Sequence, residues 1–355
     1  MYKRLLRPIL FLFPPEYIHK LVATLLRIIS FIPGLGYILR NHYCINDKRL
    51  EREVFGLHFP NPVGVAAGFD KEAKLYNALS YFGFGHIEIG TVTPLGQKGN
   101  PKPRLFRLPK DKALINRMGF NNHGVEAFVR NLRNNHPKLI IGGNIGKNTL
   151  TPNDEAINDY CHCFEKLFGM VDYFVVNVSC PNIKGLGKLQ DKDSLLKLLS
   201  AIQDINKSKS NSKPVLLKIS PDLTDGQLDE VVEIVTETGL DGIIATNTSS
   251  LRENIKHENM AADQIGQGGL SGLPLKDKAT RSIAYLHKKS EGKIPIIGVG
   301  GIFSPADALE KLNAGASLVQ VYTGFVYEGP AIARKINKAL LTIVNAAPLP
   351  GKISF

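Results

Sequence analysis

The amino-acid sequence predicts an α/β fold, a (β/α)8 TIM barrel with a small N-terminal helical extension. Three observations predict it. From about residue 60, eight short apolar runs rich in β-branched residues alternate with helical segments. The runs are apolar at nearly every position, as in strands buried on both faces of a helix-covered parallel sheet. Polar or glycine-rich stretches follow the runs, where the reactive groups of such barrels gather. Eight β-then-α units close a barrel; a doubly wound open sheet is the alternative for the same pattern.

The first 46 residues stand apart. After Pro14 and Pro15, apolar residues fall at Ile18, Leu21, Val22, Leu25, Leu26 and Ile29, with Lys20, Thr24 and Arg27 on the opposite face of a helix. Residues 1–46 hold six Lys/Arg against one Glu, a net charge of +5. An apolar stripe backed by cations suits a helix lying in an anionic membrane surface. The same pattern suits a helical cap packed on the main domain. No run of 18 or more apolar residues occurs, so no segment is expected to span a bilayer. The expected division is an amphipathic helical domain over 1–46 and a catalytic barrel over 47–355.

The predicted strands run Val63 to Ala67, His86 to Val92, Leu139 to Ile145, Tyr173 to Val178, Val215 to Ile219, Gly242 to Thr246, Ile294 to Val299 and Leu318 to Tyr322. Helices are expected between them, for example over Leu195 to Lys207, Asp225 to Thr238 and Pro305 to Ala314. The long stretch Thr248 to Leu273 reads as a functional loop.

The chain has 355 residues, 44 basic and 32 acidic, for a net charge of +12. That balance suits an anionic ligand or surface. The absence of long Lys/Arg blocks and of Trp argues against nucleic acid. Four cysteines without disulfide-framework spacing, and no cleavable leader pattern, point to a reducing, cytoplasmic compartment. Cys161, His162 and Cys163 read as helix packing rather than metal ligands, and no metal site is expected.

The strand exits carry the candidate chemistry: Lys71 after the first, Thr91 at the second, Asn144 at the third and NVSCPN (177–182) after the fourth. Lys218 follows at the fifth, and Thr246, Asn247 and Thr248 at the sixth. Glycines in GGLSG (268–272) and GVGG (298–301), and Gly324 beside Tyr322 and Thr323, let backbone N–H groups approach an anion, the common phosphate site of such barrels. Each turn alone reads equally as a turn. Asn116, Asn177, Asn182 and Asn247 offer a donor and an acceptor apiece, which suits a small polar heterocycle held by hydrogen bonds. Cys180, a thiol at a strand's exit between two amides, is the candidate proton acceptor.

AAGFDK, NPKPRLFRL, INRMGFNN, GGNIGKN, NVSCPN, LLKISPDL, IATNT, GGLSG, GVGGI and VYTGF occur in this order, and together they resemble the dihydroorotate dehydrogenases over about residues 50–340. The resemblance implies oxidation of dihydroorotate to orotate with FMN. PPEYIHKL at 14–21 is similar to the membrane-bound, quinone-reducing class 2 branch. That likeness makes residues 1–46 a membrane and quinone-access domain, on a protein peripheral to the cytoplasmic face of the cell membrane. It implies that Ala67, Gly68, Lys71, Thr91, Asn144, Asn177, Lys218, Thr246, Gly272, Gly301, Tyr322 and Thr323 hold FMN. Lys71, Asn116, Arg117, Met118, Gly119, Phe120, Asn177, Asn182, Asn247 and Thr248 are implied to line the substrate site, and His19 and Arg107 the quinone path. One position departs: class 2 enzymes typically carry serine where Cys180 stands, and class 1 enzymes carry cysteine. Ser179 is the nearest competing hydroxyl, and strand alternation turns it away from the side of Cys180. The cysteine leaves a soluble fumarate- or NAD-linked relative as the runner-up, and a non-catalytic barrel scaffold at the membrane surface as a different class; bound flavin separates the latter.

Overall fold

A computed structural model describes residues 2–132, 139–179, 191–257, 262 and 264–346. Eight parallel strands, β1 (Val63–Asp70), β2 (His86–Val92), β3 (Ile140–Ile145), β4 (Tyr173–Asn177), β5 (Val215–Ile219), β6 (Gly242–Ala245), β7 (Ile296–Val299) and β8 (Leu318–Val321), close a barrel in chain order. Each predicted run is a strand, with ends moved by a few residues. Pairing of β8 with β1, Val319 opposite Val63, rules out the open sheet. Two of the helices between strands start at side-chain caps. Thr224 and Gln227 form a capping box before Asp225–Thr238, and Ser304 and Asp307 form one before Pro305–Asn313.

Strand alternation sorts the barrel's two cores. Along β5, Val215, Leu217 and Ile219 pack outward with the helices, while Leu216 packs inward with Val175 and Ile244. A hairpin of Arg52–Val54 and Leu57–Phe59 closes the lower end, and its Val54 and Phe59 join that inner cluster. The lumen admits two large polar rings because glycines face them. A Cβ on Gly142 would lie 2.2 Å from the Tyr173 ring, and one on Gly64 would lie 2.2 Å from the His86 ring. The inner core therefore fills the lower lumen and leaves the upper end for the strand exits.

Above that end lies a three-stranded antiparallel sheet of Leu105–Leu108, Ala113–Asn116 and Gly269–Gly272. The sequence reading took GGLSG for a glycine turn. It is instead an edge strand, because Gly269 and Gly272 take ladder positions opposite Asn116 and Ala113.

The N-terminal region folds as Tyr2–Leu6, Arg7–Phe11, α1 (Pro15–Phe31) and α2 (Leu35–Tyr43). No described helix alone is long and apolar enough to cross a membrane; α1 and α2 reach that length only together, bent by 111°. The predicted stripe divides between two surfaces. Of its residues, Val22 and Leu26 pack on the barrel's outer core, whereas Leu21 and Leu25 are exposed, beside Ile28. Most of the large apolar side chains exposed among the described residues fall between 5 and 38, with Leu12 81% and Phe31 79% exposed.

His86 supplies a test of the lumen. It is fully buried, neither ring nitrogen has a hydrogen-bond partner among the described residues, and burial pushes its pKa down to about 3. In the unfolded chain the imidazole takes up a proton below about 6.5, which the folded chain refuses. Stability should therefore fall as pH drops from about 6.5 towards 3, this one group contributing at most about 1.4 kcal/mol per pH unit. His86→Leu should flatten that part of a denaturant-midpoint profile, and an unaltered slope would show that His86 is not titrating on unfolding.

Candidate active site

The strand exits converge on one cavity at the upper end of the barrel. Its wall includes Ala67, Gly68, Lys71 and Thr91 from β1 and β2, Asn177 and Lys218 from β4 and β5, and Thr246, Asn247 and Thr248 from the β6 exit. Gly301, Tyr322 and Thr323 follow β7 and β8, and the antiparallel sheet adds Asn116 and Gly272. Met118, Gly119 and Phe120 close the side. No acidic side chain lines the cavity among the described residues, so Lys71 and Lys218 make it electropositive.

A buried polar chain sets its floor. Lys218 Nζ lies 3.0 Å from Glu88 Oε1, with the two side chains 5% and 0% exposed. Asn144 Nδ2 donates to the same oxygen at 2.6 Å, and its Oδ1 accepts from Thr91 Oγ1 and from Asn177 Nδ2. Asn247 Nδ2 donates to Asn177 Oδ1 at 3.2 Å and to Ser179 Oγ at 3.0 Å, and Ser179 Oγ donates to the Lys218 carbonyl at 2.9 Å. The register explains the closure: Asn177 sits opposite Lys218 across β4 and β5. Asn144 thus holds this floor from below the wall and does not itself line the cavity.

Around the rim, Lys71 Nζ donates to Asn121 Oδ1 at 2.8 Å, and Asn116 Nδ2 donates to the Gly269 carbonyl at 3.3 Å. Tyr322 donates to the Gly68 carbonyl at 3.2 Å, and burial raises its pKa to about 12, so the phenol keeps its proton. Ser271 and Thr323 share a hydrogen bond at 2.8 Å beside Gly300 and Gly301. Gly301 has φ +70°, and a Cβ there would meet Lys276 Cα at 2.4 Å, so only glycine lets this loop lie so close to the helix Lys276–Lys289.

Several residues differ from expectation. Arg117 is not a wall residue: its guanidinium donates to the carbonyls of Pro103 and Ile265 and lies over Phe106, drawn outward by those partners. Cys180 and Asn182 lie outside the described residues. β4 ends at Asn177, so strand alternation does not extend to set Cys180 against Ser179. Ser179 in fact shares the floor network, but it is buried and donates its proton to a main-chain carbonyl. His19 and Arg107 do not share a cavity. His19 lines a second cavity between α1 and the barrel, along with Phe69 and Lys71. Arg107 instead lies over Phe11 and donates to the Leu10 and Phe13 carbonyls. Burial, then Lys71, lowers the His19 pKa to about 4, so its ring is neutral near pH 7. Edge contacts of Phe69 with His19 and with Tyr322 link the two cavities.

Glu88, Asn121 and Gln320 were missed. A glutamate inside the wholly buried run HIEIGTV was the available signal, since a buried charge requires a partner. Gln320 offered less; it lines the cavity, and its buried amide lies beside the Tyr173 hydroxyl. The glycine loop beside Ser271 and Thr323 and the buried lysine fit a planar heterocycle carrying a phosphate tail.

Comparison with known proteins places the chain among close relatives. The family model described as Dihydroorotate dehydrogenase matches residues 49–344. A protein of Christiangramia forsetii named "Dihydroorotate dehydrogenase (quinone)" is 57% identical over 341 residues, covering 96% of this chain and 99% of the relative. One of the same name from Thermosynechococcus vestitus is 47% identical over 358 residues, covering 97% of each. A ligand-free DHODH crystal structure from Eimeria tenella superposes with a TM-score of 0.85 at 36% identity, covering 95% of this chain and 97% of that one.

The floor network makes Asn177 a joint between two walls. Asn177→Leu keeps the volume but removes one of the two acceptors of Asn247 Nδ2 and one donor to Asn144 Oδ1. It should destabilise the fold by about 1–3 kcal/mol in denaturant unfolding. A cost below about 0.5 kcal/mol would mean the network is not satisfied through Asn177.

Proposed function

The chain belongs to the dihydroorotate dehydrogenase family, and on that premise we propose that it oxidises dihydroorotate to orotate in pyrimidine biosynthesis, with FMN as its flavin and a membrane quinone as final acceptor. The observation that carries this reading is the convergence of Lys71, Asn116, Asn177, Lys218 and Asn247 on one cavity that no acidic side chain lines among the described residues. Amides satisfy the alternating donors and acceptors of a pyrimidine-dione ring without adding charge, and Lys71 meets a carboxylate.

When bound, FMN supplies a two-electron acceptor that quinone can later reoxidise. The protein's part is positioning, proton transfer and electrostatics. Asn116, Asn177, Asn247 and Thr248 orient the substrate ring, with Asn182 as a further amide. Lys218 places positive charge at the cavity floor. The glycine loop with Ser271 and Thr323 suits a phosphate. Cys180 takes the ring-carbon proton as its thiolate, a role for which the carbonyl-bound hydroxyl of Ser179 is poorly prepared.

The open apolar surface between residues 5 and 38 and its excess of cations support peripheral attachment to the cytoplasmic face of the cell membrane. The cavity beside α1, with neutral His19 and Phe69, supports quinone access from that side.

The purified protein should be yellow, bleach with dihydroorotate under anaerobic conditions and recover colour with quinone; colour recovery with fumarate or NAD alone would reassign the acceptor. Removal of residues 1–46 should leave bleaching intact and abolish quinone turnover. Full quinone turnover by the truncated protein would reduce those helices to a cap.

Cys180→Ala should slow bleaching by roughly 10²- to 10⁴-fold while flavin stays bound. Cys180→Ser should keep part of the rate, with its rise displaced to higher pH, since a free thiol ionises near ~8.5 and a hydroxyl far above. An alanine variant that bleaches at the normal rate would move the proton to another group. Lys71→Ala should weaken orotate binding about ten- to a hundredfold, the worth of a charge-assisted hydrogen bond.

A further inference from the structure

Glu88 is a carboxylate with 0% of its side chain exposed, placed behind a cavity that no acidic side chain lines among the described residues. Both contacts to its Oε1 are donors, an ion pair with Lys218 Nζ at 3.0 Å and a hydrogen bond from Asn144 Nδ2 at 2.6 Å. Oε2 is buried and has no partner among the described residues. Lys218 reaches the cavity wall, whereas Glu88 does not. A ligand in the cavity therefore meets a lysine whose charge is already offset from behind. Packing alone does not call for this arrangement, since a buried ion pair is often no more stabilising than apolar residues of the same volume.

We infer that Glu88 is a positioning residue that sets the redox potential of the bound flavin, by balancing the charge Lys218 presents to it. The inference rests on the reading of this cavity as a flavin site. Reduction by two electrons adds negative charge to the ligand. A bare Lys218 stabilises that charge strongly and favours the reduced form; Glu88, a few ångströms behind, opposes it through a low-dielectric interior. The pair thus holds the potential low enough for a quinone to take the electrons away, while Lys218 keeps it high enough for the substrate to deliver them. The two half-reactions set opposite demands on one charge, and Glu88 is placed to divide them.

The test is the reduction potential of flavin in the holoprotein, read by equilibration with a reference dye. Glu88→Gln retains the hydrogen-bonding shape and removes the charge. It should raise the equilibrium constant for flavin reduction about ten- to a hundredfold, about 30–60 mV upward for a two-electron couple. Bleaching by dihydroorotate should hold or quicken while reoxidation by quinone slows. A merely structural loss slows both half-reactions and leaves the potential in place. An unchanged or lowered potential overturns the inference. Should Glu88→Gln fail to fold, Glu88→Asp keeps the anion and withdraws it by one methylene from Lys218. Its potential should then rise severalfold in equilibrium terms, and no rise overturns the inference. If the unaltered protein binds no flavin, the functional reading itself fails; flavin bound at an unshifted potential in the variants sinks the Glu88 role alone.

Discussion

The upper half of this barrel is organised around one buried ion pair. Taking a lysine and a glutamate out of water costs several kcal/mol per ion, and close approach offsets that cost only if the remaining donors and acceptors find partners. Lys218 and Glu88 meet that demand in part: Asn144, fixed in turn by Thr91 and Asn177, shares Glu88 Oε1, while the buried Oε2 has no partner among the described residues. Removal of either charge leaves the other stranded, at a cost of about 3–5 kcal/mol. The pair therefore constrains its neighbours: Asn144 can present its amide in one sense only, Asn177 follows, and Asn247 and Ser179 complete the circuit back to the Lys218 carbonyl.

Beneath the pair, filling by volume takes over. Val54 and Phe59 of the lower hairpin plug the lumen from below, and Gly64 and Gly142 make room for His86 and Tyr173. Close packing there fills the lower lumen, and the cavity lies at the strand exits under the antiparallel sheet. The division between a stable lower barrel and a chemically equipped upper end follows from where the large side chains are spent.

The N-terminal helices are tied to the same end. Glu16 accepts two hydrogen bonds from Arg104, at 2.9 and 3.2 Å, and is held below its usual carboxylate range by that guanidinium despite burial acting the other way. Tyr2 donates to the Val326 carbonyl and Arg7 to that of Tyr327, just beyond β8. Such anchors fix His19 against Phe69 while leaving Leu21, Leu25 and Ile28 to the outside. One short helix thus has a wall of the second cavity on one side and an open apolar surface on the other.

The sequence by itself determined eight strands alternating with helices, because such apolar runs must bury both faces; the pairing of β8 with β1 that closes the barrel was decided by the tertiary structure. It also determined most of the wall: Lys71, Asn116, Asn177, Lys218 and Asn247 stand at strand ends or beside them, and chain order along a (β/α)8 pattern brings strand ends together. The helical N-terminus was legible as amphipathic, though its periodicity could not say which apolar residues face the barrel. Only the tertiary structure decided what depends on residues far apart in the chain. The partner of Glu88 stands 130 residues away on β5. Arg117 leaves the site because two distant carbonyls and a phenyl ring outcompete it. GGLSG becomes a strand because Ala113–Asn116 offers an unpaired edge. A linear pattern records how each segment hides its apolar face; it does not record which polar groups meet once the barrel closes, and those meetings set the charge at the site.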